Sequence, residues 1–240
     1  LRIEGDITVN IQKRLYRRYG DYTVYVVDGE AIRNSRPEGD EEFGEWALSI
    51  DFPGLIPENE IWIEDDLQET EYPYILTNAF TQLKWLENGS KKDAAYNAGD
   101  SAEKRMRVTR DPNLGGQIYV RKYVTFGPIT VWLVNGEAVR DRYYVPFIEG
   151  GNHGRYDWIP PNEVWLEYTM HPTELPFILI HECVERFLML AFGWKYPRAH
   201  KTASDVEYAS RAEGMGTVES AVRTVLRVIA AFNSGKGWSV

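Results

Sequence analysis

The sequence predicts an α+β fold built from two tandem related units, and three observations support that expectation. The chain repeats itself: TVYVVDGEAIR at 23–33 returns as TVWLVNGEAVR at 130–140, IPENEIWIE at 56–64 as IPPNEVWLE at 159–167, and TEYPYILTNAFTQLKWLENG at 70–89 as TELPFILIHECVERFLMLAFG at 173–193. Within each copy the β-rich runs come first and the helical runs second, which is the segregated order of an α+β domain. Halving the 240 residues gives two stretches of ordinary small-domain size. The expected division is into residues 1–110 and 111–240, meeting in the turn-rich DPNLGG.

Each unit is expected to be a β-hairpin plus one or more strands packed on two helices, with an extra C-terminal helix in the second. Residues 1–20 and 110–126 read as leading strands. Asp28-Gly29 and Asn135-Gly136 read as tight hairpin turns, because both residue types tolerate positive φ. They would join strands 22–27 and 30–35 in copy one, and 129–134 and 137–145 in copy two. After a loop rich in Gly and Pro comes a short strand, 60–64 or 163–167. The first helix is expected to start from a Thr cap at Thr70 or Thr173 and to stop at Gly89 or Gly193. The second covers 91–107 or 197–211, with Pro197 in its first turn. Only copy two continues into a third helix, 217–231, with an apolar stripe at Val218, Val222, Val225 and Ile229 and with Arg223 and Arg227 turned outward.

Composition narrows the function classes. A net charge of -9 argues against nucleic acid as a partner, since phosphate contacts need clustered Lys and Arg. The one basic cluster, Lys13-Arg14 with Arg17-Arg18, reads as a solvated strand face. A single cysteine, Cys183, excludes an internal disulfide and suits a reducing compartment such as the cytoplasm. No secretory signal and no apolar run long enough to span a membrane is visible, so no membrane partner is expected. The chain opens on Leu1, as a processed or trimmed product would. Eight Trp and fifteen Tyr suit sheet faces or surfaces that bind protein partners.

All four histidines, His153, His171, His181 and His200, lie in copy two. In His181-Glu182-Cys183-Val184-Glu185, positions 181 and 185 share a helical face, and Glu182 is rotated about 100° from His181. His200, near the start of the next helix, could join them across the Gly193 turn. Two imidazoles and one carboxylate are the donor set of open zinc sites, and they also suit ferrous iron. In this helix the chain resembles the HExxH zincin metallopeptidases, in a variant HExxE form confined to the second repeat. The resemblance implies metal at His181, Glu185 and His200, water activation by Glu182, and a peptide or other amide as substrate.

The repeat offers an internal comparison. His181, Glu182, Glu185 and His200 face Asn78, Ala79, Gln82 and Tyr96, whereas Glu207 is matched by Glu103 and so reads as scaffold. Copy one is therefore expected to be non-catalytic and copy two to bind metal. The loop GGNHGRY at 150–156 is the second candidate region: His153 as a further ligand, Arg155 and Tyr156 as substrate contacts. His171 reads as a local loop residue and Cys183 as a small buried one. The competing reading is a structural or assembly protein, with a metal that only staples helices or with none, in which Glu182 or Glu185 pairs with Arg186.

Overall fold

The structure is a computed structural model that describes residues 11, 13–35, 43–110 and 116–237. It is an α+β fold containing two four-stranded sheets of identical topology. The chain forms two compact units, Leu1–Leu67 and Gln68–Val240.

The first unit contains strands β1 (Lys13–Tyr19) and β2 (Tyr22–Val27), helix α1 (Gly29–Ser35), and strands β3 (Trp46–Leu48) and β4 (Glu60–Glu64). The sheet order is β1-β2-β4-β3. β1 and β3 run antiparallel to their neighbours, and the central pair β2 and β4 is parallel. A parallel pair needs a crossover, and α1 and β3 lie within it. Both central strands carry consecutive buried apolar residues, Val26-Val27 and Ile61-Trp62-Ile63, as strands covered on both faces do.

The second unit begins with copy one's helices, α2 (Tyr72–Glu87) and α3 (Lys92–Arg110). Copy two follows: β5 (Tyr119–Phe126), β6 (Ile129–Val134), α4 (Gly136–Arg142), β7 (Gly150–Asn152), β8 (Glu163–Glu167), α5 (Leu175–Phe192), α6 (Tyr196–Ala212) and α7 (Val218–Asn233). Its sheet order, β5-β6-β8-β7, repeats the first. One sheet face gives Val131, Leu133, Val164 and Leu166 to a core shared with α5, α6 and α7. Trp165 and Val134 pack instead with Ala138 and Val139 of α4, Phe147 and Ile159.

The two Asx-Gly dipeptides are not hairpin turns. Asp28 and Asn135 cap helices, accepting from the backbone nitrogens of Ala31 (2.8 Å) and Ala138 (3.2 Å). Segments 30–35 and 137–142, expected as strand, are therefore helix. Neither Gly29 nor Gly136 has a positive φ, so the turn conformation is not what selects glycine there. Close approach does: a Cβ on Gly29 would sit 2.1 Å from Glu64 Oε1, and one on Gly136 2.2 Å from Glu167 Cδ. The same carboxylates are held by the arginine ending each motif, Arg33 on Glu64 (2.6 Å) and Arg140 on Glu167 (2.9 Å). The hairpins join each leading strand to the next, β1 to β2 and β5 to β6, through Gly20 at φ 58 and Gly127 at φ 53. A positive-φ glycine leading a two-residue loop is the pattern of a II′ connection.

Helix starts also shift. α2 and α5 begin two residues beyond Thr70 and Thr173, with Glu71 and Glu174 in the cap position and no side-chain cap bond. Their carboxylates are committed to Arg107 and Arg211 instead. Gly89 and Gly193 end these helices at φ 79 and 64, as expected. The stripe of α7 is displaced, with burial centred on Ala221, Thr224, Val225 and Val228. No helix among the described residues is long and apolar enough to cross a membrane.

Candidate metal centre

Helix α5 is buried on nearly every side from Leu175 to Glu185. Buried polar groups need partners, and His181, Glu182 and Glu185 all have them. His181 and Glu185 point one way, one turn apart, and α6 returns His200 to them after the short turn at Gly193. His181 Nε2 lies 3.0 Å from His200 Nδ1, His200 Nδ1 3.1 Å from Glu185 Oε2, and His181 Nε2 3.8 Å from Glu185 Oε2. The three sequence-predicted donors thus form one triangle.

The triangle can be tested against a metal. With ligand bonds near 2.05 Å, the edge of a tetrahedral site is about 3.3 Å. The observed edges bracket that length. Each donor is also aimed from behind. The Glu207 carboxylate accepts from His181 Nδ1 at 3.0 Å, which puts the proton on Nδ1 and turns the Nε2 lone pair inward. Asn152 Nδ2 donates to Glu185 Oε1 at 2.8 Å and leaves Oε2 to face the histidines. Tyr196 stacks on His200 with ring centres 5.0 Å apart.

The electrostatics agree. Burial raises the Glu185 carboxyl, but the neighbouring His181 and His200 imidazoles and the Asn152 amide outweigh it and hold the group at about 2. Burial likewise opposes the charge on Glu207, yet the hydrogen bond from His181 and the Arg211 guanidinium bring it to about 2. Both carboxylates are thus anionic at neutral pH.

Glu182 is buried too, and its Oε2 accepts from the same Asn152 nitrogen at 2.8 Å. One amide therefore sets both carboxylates of the helix. Asn152 ends β7, just after Glu149, the one described non-glycine residue with a positive φ (56). Strain of this kind concentrates at functional sites. Gly150 allows the approach of α5, since a Cβ there would lie 3.1 Å from Glu182 Cγ.

The loop residues divide. His153 stands outside the triangle, its Nδ1 2.6 Å from the Ile159 carbonyl oxygen. The Arg155 guanidinium lies over Tyr196 at 4.3 Å and Tyr156 at 5.3 Å. His171 Nδ1 contacts Thr173 Oγ1 at 2.7 Å, a local role as expected. Cys183 is buried, which pushes its thiol up and away from thiolate chemistry. Arg186 pairs with neither neighbouring glutamate; it donates to the Pro161 carbonyl.

Sequence reasoning missed two contributors. The signal for Asn152 lies in strand register, which becomes visible only with the partner strands in place: matched registers on β4 and β8 set Leu48 opposite Ile61 and Asn152 opposite Val164. An apolar residue in copy one thus gives way to an amide beside the donors in copy two. Glu207 was read as scaffold only. It is scaffold, bonded to Arg211, which also binds Glu174, and it orients a donor as well. Copy one keeps the same chain of contacts: Arg107 binds Glu71 and Glu103, and Asn78 Nδ2 donates to Glu103 Oε2 at 2.7 Å in place of the imidazole.

Comparison with protein-family models, curated proteins and solved structures finds no match to this chain. Kinship with the zincins therefore has no support beyond the helix motif and the triangle.

Proposed function

We propose that the chain is a metal-dependent hydrolase, with zinc, or ferrous iron on the same donors, held by His181, Glu185 and His200. The triangle of donor distances, with edges of 3.0, 3.1 and 3.8 Å on either side of a tetrahedral edge, carries this reading. A divalent ion there supplies Lewis acidity toward water and toward a substrate carbonyl. Glu182, on the ligand-bearing helix α5 and held by Asn152 of β7, accepts a proton from water and returns it to the leaving amine of a peptide or other amide.

An open centre is favoured over a closed structural one. Among the described residues only three side chains form the donor group. Glu207 is occupied by His181 and Arg211, and His153 Nδ1 faces a backbone carbonyl oxygen. Three protein donors leave a position for water.

Elemental analysis of the purified protein is expected to find about one zinc or iron per chain, and His181→Ala much less. With a mixed peptide library as substrate, Glu182→Gln should keep the metal and lose about 100-fold or more in turnover. Full activity in that variant would remove Glu182 from the mechanism. A metal whose chelation lowers the melting temperature, in a protein that turns nothing over, would establish the structural reading.

A further inference from the structure

One cation beside the proposed centre forms no ion pair among the described residues. Arg107, Arg140 and Arg211 are each clasped by buried carboxylates. Arg155 is exposed, and among the described residues its guanidinium feels Glu185 only at a distance, with no carboxylate in ion-pair contact. Its place is nonetheless fixed. Its backbone nitrogen bonds to the Asn152 carbonyl oxygen at 3.1 Å, and Asn152 holds Glu182 and Glu185. The guanidinium rests 4.3 Å from the centre of the Tyr196 ring, and that ring stacks on the donor His200. The hydroxyls of Tyr156 and Tyr196 have no hydrogen-bond partner among the described residues, and a phenol is a hydrogen donor at neutral pH.

Two further observations single this cation out. The chain has 36 acidic against 27 basic residues, and such a surface repels anions unless a local cation counters it. Copy one, which lacks the donors, also reverses the charge. Counting three residues on from the matched pair Leu48 and Asn152 places Asp51 where copy two has Arg155. Asp51 turns back on its own loop, accepting from the Leu48 nitrogen at 2.8 Å.

We propose that Arg155, with the hydroxyls of Tyr156 and Tyr196, binds a carboxylate of the substrate, so that the centre acts on amides carrying a free carboxylate. This rests on the metal-hydrolase reading and adds the substrate class to it. A guanidinium pairs with a carboxylate through two parallel hydrogen bonds, and that geometry selects for a carboxylate over a neutral amide of the same shape.

The test uses the cobalt-loaded full chain and small hydroxamates, read by the visible absorption of the metal. Acetohydroxamate tests the centre alone. The monohydroxamates of malonic, succinic and glutaric acid, each beside its terminal carboxamide analogue, test the subsite at three reaches. At least one acid is expected to bind about ten-fold or more tighter than its amide, as a charge-assisted bond confers. In Arg155→Met that acid-to-amide ratio should fall to about one, and in Arg155→Lys recover in part. No spectral response to acetohydroxamate would overturn the metal centre and this proposal with it. A response with equal binding of acids and amides, or a ratio that persists in Arg155→Met, would overturn the carboxylate subsite alone.

Discussion

Asn152 Nδ2 donates to Glu182 and Glu185 at once, so a single amide couples the proposed base to a proposed ligand. Replacing it with the residue that copy one carries, Asn152→Leu, leaves two buried carboxylates short of a donor. Loss of contacts behind a ligand typically lowers metal affinity about 10- to 100-fold. A chelator competition titration should show that drop, with melting of the metal-free protein also lowered. Unchanged affinity would mean that the amide plays no part in aiming Glu185. The residue scale also shows what one sequence can reveal. His181, Glu185 and His200 were legible because helical spacing fixes which side chains share a face. Asn152 was not, because strand register, unlike helical spacing, must be found through the partner strand.

At the scale of elements, both sheets were legible in their central strands, since Val-rich and Ile-Trp-Ile runs have few alternatives to a doubly covered strand. The Asx-Gly motifs misled because two structures use the same dipeptide: a tight turn, which needs positive φ, and a capped helix start, which needs a side-chain acceptor and room. Only the later glutamate, Glu64 or Glu167, decides between them, and it is distant in sequence. The distinction can be measured. Gly136→Ala, at an ordinary φ, should cost about 1–3 kcal/mol by overpacking against Glu167, read as a fall in the urea midpoint. The same change at Gly116, where a Cβ would meet nothing closer than 3.7 Å, should cost far less. Equal effects would return the glycine to a purely conformational role.

At the scale of the molecule, copy one's helices are tied to copy two by charge. Arg140 reaches Glu71 at 2.6 Å as well as Glu167, and Arg107 reaches Asp141 at 3.1 Å. Such networks make stability depend on pH. Glu207 and Glu185 titrate at about 2 in the fold, against an ordinary 4.5. A depressed folded value contributes stability that is fully present above 4.5 and drains away as pH falls toward 2. The metal-free protein should therefore lose denaturant resistance across that window, and Glu207→Gln should lose less of it between the same two pH values. A variant that parallels the parent would place the acid sensitivity elsewhere. The matching relays have a consequence for how such a centre comes and goes. Glu103 and Glu207 each offer the same oxygen to whatever stands one helix away, and an amide or an imidazole can each bond to it. A duplicated copy can therefore drift from histidine to asparagine one substitution at a time without stranding a buried charge, and chemistry can lapse while folding goes on unselected against.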